Sequence, residues 1–226
     1  MSGPLLEAIS LRKSFGPTPA LADGSMELAA GEIVAVMGPS GSGKSTLLHC
    51  LACVMRPDAG RVVYAGRDLT AASDAELSAL RRSDFGFVFQ FGQLVPELSC
   101  RENVALPLRL DGVARREAER RADDWLGRLE VADLARQTPA QVSGGQGQRV
   151  AIARALATEP HVVFADEPTG ALDSLNGEHV MQLLSDAAHE SGAAVVLVTH
   201  EPRVAAWSDR DVVVRDGVSR VVEPVS

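Results

Sequence analysis

A glycine-rich loop early in the chain constrains the fold more than any other feature of the sequence. Gly38–Ser45 reads GPSGSGKS and fits the pattern G-x-x-x-x-G-K-[ST]. It follows a β-branched run at Ile33–Met37 and precedes a helical pattern that we expect from Lys44 to about Met55. Such a loop wraps its backbone N–H groups around an anion, and the helix N-terminus adds positive charge. The sequence therefore predicts a nucleotide site on an α/β core.

The residues of this loop have separate predicted roles. Lys44 is expected to reach the β- and γ-phosphates, and the hydroxyl of Ser45 to ligate Mg²⁺. The residues predicted to hold the nucleotide here are Gly38, Pro39, Ser40, Gly41, Ser42, Gly43, Lys44, Ser45 and Thr46. The alternative, a glycine-rich turn without function, is disfavoured because a strand pattern precedes the loop and a helical pattern follows it.

Beyond the loop, short apolar runs alternate with longer helical patterns, which is typical of an α/β sheet core. Further strands are predicted at Arg61–Tyr64, Phe85–Phe89, His161–Ala165 and Ala194–Thr199, with a hairpin at Asp211–Arg215 and Val218–Val222. Ser174–Glu190 is predicted to be a helix with Ser174 as its N-cap and Leu175 among its apolar residues. Arg101–Gln137 is predicted to be a helical lobe inserted into the core, with the charged run Arg115–Asp124 as a solvated helix face.

Composition restricts the function classes. Among 226 residues, 22 Lys and Arg against 30 Asp and Glu give a formal net charge of −8, which argues against sequence-independent nucleic-acid binding. Three cysteines are too few for a disulfide framework and favour a reducing compartment. We expect no signal peptide, and no apolar run approaches the length of a membrane span. Any membrane role is therefore expected to come through a partner.

Two carboxylates follow one of the predicted buried strands. Asp166 and Glu167 come directly after Val162–Ala165, and ligands of open α/β sheets bind at the carboxyl ends of the strands. Asp166 suits the outer shell of Mg²⁺, whereas Glu167 is placed to take a proton from a water that attacks the γ-phosphate. By itself, such an acidic pair more often belongs to a turn or a helix cap. The presence of the loop at Gly38–Ser45 in the same chain makes a role in the nucleotide site the favoured interpretation.

Five further segments, taken in order, resemble those of the ATP-binding-cassette (ABC) ATPases. Val142–Gln146 (VSGGQ) resembles the family's signature, and Gln90 after the strand GFVF resembles its Q-loop glutamine. Ala171–Asp173 resembles the D-loop, His200 the switch histidine, and Phe15 the aromatic residue that stacks on adenine. The resemblance covers essentially the whole chain. There are three departures. Val142 replaces the usual leucine of the signature, which is a mild change, Gly147 replaces a frequent glutamine and alters the expected local polar contacts, and Cys53 replaces a common glycine.

The resemblance implies a set of site residues. Catalytic roles are implied for Lys44, Gln90, Glu167 and His200. Mg²⁺ ligation is implied for Ser45, Gln90 and Asp166, and nucleotide contacts outside the loop for Phe15, Ser143, Gly144, Gly145, Gln146 and Asp173. In the family, the switch histidine contacts the γ-phosphate and the attacking water, and the Q-loop glutamine senses Mg²⁺. Phe15 also fits the alternative of a core aromatic residue, and Ser143 is independently a good N-cap for a helix through Arg149–Ala157.

The resemblance also implies an architecture and an assembly. The expected fold is an α/β P-loop NTPase of the ABC type, with a RecA-like core, an N-terminal antiparallel β subdomain and an inserted α-helical subdomain. Residues 1–226 would form one such domain, with 1–90 and 160–226 as core and β subdomain and about 91–159 as helical subdomain. Family sites are composite, because the loop of one subunit faces the signature of another. ATP and Mg²⁺ are the expected cofactors, and a head-to-tail homodimer is the expected working unit.

Within the family, Phe87–Leu108 and Glu167–Ser174 resemble the macrolide-export and lipoprotein-release branch (MacB/LolD-like). This implies a peripheral ATPase on the cytoplasmic face of the membrane, partnered by an FtsX/MacB-like permease that exports or extracts a substrate. Phe91, Leu94 and Val95 are candidates for the groove that receives the permease, with ordinary lobe packing as the alternative. A regulatory FtsE-type ATPase that signals through a permease-like partner without transport stays open. A DNA-repair or translation ABC ATPase is disfavoured, because 226 residues leave no room for coiled-coil insertions or a second cassette.

Overall fold

The computed structural model describes residues 3–90 and 92–222. The strands in these residues are β1 (Leu6–Phe15), β2 (Thr18–Leu28), β3 (Ile33–Met37), β4 (Ala59–Tyr64), β5 (Arg67–Asp68), β6 (Phe85–Phe89), β7 (Val162–Asp166), β8 (Ala194–Val198), β9 (Arg210–Arg215) and β10 (Val218–Val222). The α-helices are α1 (Lys44–Leu51), α2 (Asp74–Ser83), α3 (Cys100–Leu110), α4 (Arg115–Arg128), α5 (Gly144–Leu156), α6 (Ser174–Ser191) and α7 (Pro202–Ala205). The described residues form two compact units, the first within residues 3–81 and 194–222 and the second within residues 82–90 and 92–193.

The first unit contains a mixed sheet with the strand order β5-β4-β1-β2-β10-β9-β3-β8. β1 pairs antiparallel with β2 and β4, so the N-terminal side of this sheet is antiparallel. β3 pairs parallel with both β8 and β9, and all five residues of β8 are buried. The predicted α/β class, with an antiparallel N-terminal portion, is therefore confirmed. The C-terminal hairpin is also confirmed, because β9 and β10 pair antiparallel around Asp216 and Gly217.

The second unit combines two parallel strands with four helices. β6 and β7 pair in parallel with Phe89 opposite Asp166. Their contact is reinforced by the fully buried Phe164, whose ring lies 5.1 Å from that of Phe85 and 5.7 Å from that of Phe87. α3 packs on α4 and α5, and α5 packs on β6 and α6. The predicted helical region at about 91–159 falls within this unit, and its boundaries as a subdomain stay a prediction.

Three local predictions differ from the structure. α1 ends at Leu51 rather than near Met55, because Cys53 adopts a left-handed conformation (φ 54°) that a helix cannot continue through. The N-cap of α6 is Asp173 rather than Ser174, since the Asp173 side chain accepts from the backbone N–H of Asn176. Leu175 is 81% exposed. At 3.6 residues per turn it points about 140° away from Val180, which lies on the buried face.

The candidates for a permease groove are only partly described. Leu94 and Val95 are half-buried, and the backbone of Val95 is held by the buried side chain of Asn103. Phe91 lies outside the described residues. Within the ranges 3–90 and 92–222, no helix combines the length and the apolar character needed to cross a membrane.

Candidate nucleotide site

The loop between β3 and α1 adopts a conformation that only glycine fits at two positions. Gly38 has φ 147°, and a Cβ atom there would lie 2.1 Å from the carbonyl oxygen of Val214. Gly43 has φ 106°, and a Cβ atom there would lie 2.3 Å from the carbonyl oxygen of Ala20. Both ends of the loop are therefore pressed against neighbouring backbone, whereas a Cβ at Gly41 would meet no atom within 4 Å. The middle of the loop faces open space.

Two buried polar side chains line the loop. Lys44 is 7% exposed, and its Nζ donates to the carbonyl oxygens of Gly38 at 2.9 Å and Pro39 at 3.0 Å. The hydroxyl of Ser42 is buried, and among the described residues it has no hydrogen-bond partner. A buried cation and an unsatisfied hydroxyl beside a left-handed glycine loop match an anionic group with several acceptor oxygens. The residues present thus fit the phosphates of a nucleotide.

Phe15 and His200 lie in the same unit as the loop. Phe15 ends β1 and is 52% exposed, so it is not a core aromatic residue. His200 follows β8, and the buried Thr199 before it donates its backbone N–H to the carbonyl oxygen of Val36 at 3.2 Å. Because β3 and β8 are parallel, their carboxyl ends lie at one edge of the sheet. The structure thus brings His200 and the loop to the same sheet edge.

The second unit holds the carboxylate pair and Gln90. Asp166 ends β7, Gln90 follows β6, and the parallel pairing of these strands places both at one sheet edge. Glu167 has φ 48°, a conformation that costs energy in a residue other than glycine and that clusters at functional sites. A Cβ atom at Gly170 would lie 2.8 Å from Nε2 of Gln90. The side chain of Gln90 therefore lies against the segment that follows Glu167.

The signature segment forms the N-terminus of α5. Ser143 is its N-cap in a capping box: the Ser143 hydroxyl accepts from the Gln146 N–H at 3.4 Å, and Gln146 Oε1 accepts from the Ser143 N–H at 2.8 Å. The predicted cap is confirmed. Gly144 and Gly145 occupy the first turn, whose N–H groups have no acceptor within the helix. This end of α5 is therefore able to bind an anion.

Asp173 lies beside this helix end. Its Oδ1 accepts from the Asn176 N–H at 3.0 Å and its Oδ2 from the Asn176 side chain at 2.6 Å, and these bonds lower the pKa of Asp173. A Cβ atom at Gly145 would lie 3.5 Å from Asn176. The structure thus brings the signature segment and the predicted D-loop together. It uses the Asp173 carboxylate as a helix cap, and the nucleotide contact predicted for this residue stays a prediction.

Two residues of α5 contact the segment around Gln90 and were not singled out from the sequence. Gln148 is buried, and its Nε2 donates to the carbonyl oxygen of Phe89 at 3.0 Å. Arg154 donates to the carbonyl oxygens of Gly92 at 2.7 Å and Gln93 at 2.8 Å, and burial lowers its pKa. Nothing local in the sequence indicates these contacts, because they join positions about sixty residues apart.

The predicted site residues are divided between the two units. The first unit carries the loop, Phe15 and His200. The second carries Gln90, the signature segment, Asp166, Glu167 and Asp173. The Mg²⁺ ligands predicted from the sequence are drawn from both units, and within the described part of the chain no group of three or more His, Cys, Asp or Glu could hold a metal ion. The joining of these residues into one site stays a prediction.

Comparison with known proteins identifies close relatives. The profile of the family described as ABC transporter matches residues 21–170, more than half of the chain. The chain is 44% identical to the lipoprotein-releasing system ATP-binding protein LolD 2 of Caulobacter vibrioides, over 96% of the chain and 97% of that protein. It is 47% identical to the macrolide export ATP-binding/permease protein MacB of Nitrosomonas europaea, over 95% of the chain and 33% of that protein. The chain spans about a third of the length of the first curated relatives that it matches.

A solved structure of an ATP-binding cassette has the same fold as this chain. The ATP-binding cassette MJ0796, described as a dimeric post-hydrolysis state bound to ADP and Pi, superposes with a TM-score of 0.89. The two sequences are 40% identical, and the match covers 98% of this chain and 99% of that one. At this identity and coverage the likeness extends to the sequence as well as to the fold.

Proposed function

Since the chain belongs to the ABC transporter family and is one of its ATP-binding, ATP-hydrolysing domains, we propose that it powers a membrane permease of the FtsX/MacB type. In this proposal it docks on the cytoplasmic face of the cell membrane and drives export or extraction of a substrate. The observation that carries the proposal is the match to a lipoprotein-releasing ATP-binding protein over 97% of that protein's length. The identity to a macrolide export protein that joins ATP-binding and permease parts supports the same class of partner.

The proposed nucleotide site begins with the loop. Its backbone N–H groups and Lys44 bind the phosphates, and breaking the bonds from Lys44 to Gly38 and Pro39 frees the ammonium for them. Phe15, half exposed at the end of β1, stacks on the adenine. Ser45, Gln90 and Asp166 are the proposed ligands of Mg²⁺, which when bound neutralises phosphate charge. A hydroxyl, an amide and a carboxylate are oxygen donors of the kind this ion prefers.

Glu167 is the proposed general base for hydrolysis. A carboxylate one position past the strand end can take the proton of a water that attacks the γ-phosphate. His200 is the proposed contact to the γ-phosphate and that water, and its place at the carboxyl end of β8, at the same edge as the loop, supports this role. Gln90 is proposed to sense whether Mg²⁺ is bound and to link the nucleotide site to the membrane partner. Its contact with the segment after Glu167 supports that role.

We propose that the working form is a head-to-tail homodimer. Ser143, Gly144, Gly145 and Gln146 of one copy would meet the γ-phosphate held by the loop of the other, with Asp173 beside them. The glycine-containing first turn of α5, whose N–H groups have no acceptor within the helix, and the dimeric form described for the related cassette support this arrangement. The core and β subdomain are proposed at residues 1–90 and 160–226, and the helical subdomain at about 91–159.

The proposal is tested with the Glu167→Gln variant. Its turnover is expected to fall by roughly 10²–10⁴, the contribution of a positioned base, while ATP binding survives. Lys44→Ala is the matched control, because it is expected to lose nucleotide affinity instead. Turnover of the wild-type rate in Glu167→Gln would remove the assigned base, and unchanged ATP affinity in Lys44→Ala would remove the proposed phosphate site.

The partner is tested by purifying tagged Glu167→Gln from detergent-solubilised native membranes with ATP and Mg²⁺, followed by mass spectrometry. A stoichiometric FtsX/MacB-like permease is expected. Lys44→Ala serves as the control for recovery that depends on nucleotide. Recovery of soluble dimers alone would contradict the membrane role and leave the ATPase, whereas co-recovery of cell-wall hydrolases would favour the regulatory alternative over transport.

A further inference from the structure

A glutamate occupies a backbone position that suits glycine. Glu130 lies two residues past the end of α4 and has φ 56°, in the left-handed region. Its N–H donates to the carbonyl oxygen of Gly127 at 3.1 Å, as in the turn that ends many helices. Glycine adopts this conformation without strain, and glutamate does not. A glutamate held in this conformation indicates that its side chain makes contacts that offset the strain.

The Glu130 side chain joins three helices of the second unit. Its Oε2 accepts from Nε2 of His179 on α6 at 2.9 Å and lies 3.6 Å from Nη1 of Arg149 on α5. The same Nη1 donates to the carbonyl oxygen of Glu130 at 3.3 Å. Arg149 is only 18% exposed, so its guanidinium is largely shielded from solvent at the C-terminal end of α4. We refer to Glu130, Arg149 and His179 as the Glu130 clasp.

Arg149 and His179 of the clasp lie at the same distance from the N-termini of their helices, and both helices begin at predicted site residues. Arg149 comes six residues after Ser143, the N-cap of α5, and His179 six residues after Asp173, the N-cap of α6. Six residues of α-helix span about 9 Å. Nearer the helix starts, Gly145 lies against Asn176, and α5 and α6 also pack on each other. The clasp adds a hydrogen bond and an ion pair to this packing, at the same distance from both helix starts.

We propose that Glu130 is a positioning residue that sets the spacing between the Ser143–Gln146 segment and Asp173. The inference rests on the proposed dimer, in which both must meet the second copy at once. Releasing the clasp lets α5 move relative to α6, so that dimer formation must then restrict this motion. ATP binding by a single copy is untouched, because the loop that holds the phosphates belongs to the other unit.

The test compares stability with dimer formation in Glu130→Gly, made in the Glu167→Gln background. Glycine relieves the backbone strain, so the melting temperature is expected to stay the same or rise. The dissociation constant of the ATP-dependent dimer, measured by analytical ultracentrifugation, is expected to rise about four- to tenfold, since both subunits of the two-fold dimer carry the change. If Glu130 acted only through the stability of the fold, the melting temperature would fall as the dissociation constant rises.

Two variants complete the design. Glu159→Gly is the matched control, because Glu159 has φ 55° in the same unit but no part in the clasp, and its dimer constant is expected to be unchanged. His179→Ala removes the ring nitrogen that bonds the Glu130 carboxylate and leaves the Glu130 backbone intact, and it is expected to weaken the dimer as Glu130→Gly does. Parent-like dimers of Glu130→Gly, or equal weakening by Glu159→Gly, would overturn this inference alone. Failure of the Glu167→Gln parent to dimerise with ATP would overturn the proposed function and this inference with it.

Discussion

The chain places glycines at two proposed phosphate-binding segments, and the structure leaves different amounts of room around them. In the loop before α1, a Cβ atom at Gly38 would lie 2.1 Å from the carbonyl oxygen of Val214. At the start of α5, a Cβ atom at Gly145 would lie 3.5 Å from its nearest neighbour, an ordinary contact. The first glycine is demanded by the subunit's own packing. Nothing within the described part of the subunit requires the second, which fits the proposal that a second copy brings a phosphate to this helix start.

The largest effect is expected from Gly38→Ala. The new Cβ cannot avoid the backbone of Val214, and alanine is strained at φ 147°, so the free energy of unfolding should fall by about 3 kcal/mol or more. Urea unfolding measures it. Gly41→Ala is the control, with strain at φ 76° but no neighbour within 4 Å, and should lose about 1 kcal/mol. Equal losses would show that close packing does not explain the glycine at position 38.

Gly145→Ala should separate stability from activity. Alanine favours the first turn of α5, so the free energy of unfolding should stay unchanged or rise by up to about 1 kcal/mol. ATP turnover should fall at least about tenfold, because a methyl group stands where the phosphate of the other copy would approach. Gly147→Ala is the control on the same helix and should keep its turnover. A loss of stability in Gly145→Ala would show that Gly145, like Gly38, is required by the packing of the subunit itself.

Ser143→Ala removes the side-chain half of the capping box that starts α5. The loss of the acceptor for the Gln146 N–H should lower the free energy of unfolding by about 1 kcal/mol. Thermal unfolding measures it, with Ser143→Asp as the variant that retains a capping oxygen. If alanine and aspartate gave equal stabilities, the cap would contribute nothing to the helix start.

Cys53→Gly tests the reverse case, a position where the chain holds a left-handed conformation without glycine. Relief of φ 54° should raise the free energy of unfolding by up to about 1 kcal/mol, less the contacts of the buried thiol. Cys53→Ala keeps the strain and should show no gain. A destabilised glycine variant would mean that thiol packing outweighs the strain.

The smallest effect on stability at neutral pH is expected from the thiols of Cys50 and Cys53, which follow the loop. Burial raises the pKa of Cys50 and Cys53 to about 11 from the ordinary 9.0. The folded chain therefore holds these protons more tightly than the unfolded chain. Their contribution to stability is complete below pH 9 and is lost as the pH rises to about 11. Urea unfolding of the wild type and of Cys50→Ala/Cys53→Ala should show a steeper loss for the wild type only above pH 9.

Much of the fold was predictable from local patterns. The β-branched run at Ile33–Met37 and the strand candidate at Phe85–Phe89 match β3 and β6 residue for residue, because a buried parallel strand is visible as a short apolar run. The capping box at Ser143 and Gln146 was likewise predictable, since both its bonds join residues three apart. Where two capping residues stood side by side, the pattern chose Ser174 and the structure uses Asp173.

The sequence by itself determined the loop, the order of the motifs and the class of the fold, because each depends on residues close together along the chain. Only the tertiary structure determined that Gly38 has no room for a side chain, because the backbone that fills this space belongs to Val214, which lies far away in sequence. It also decided that Leu175 faces solvent and that Glu130 joins α5 to α6. Such contacts arise when elements pack, and no periodicity or local motif encodes which distant residue they meet.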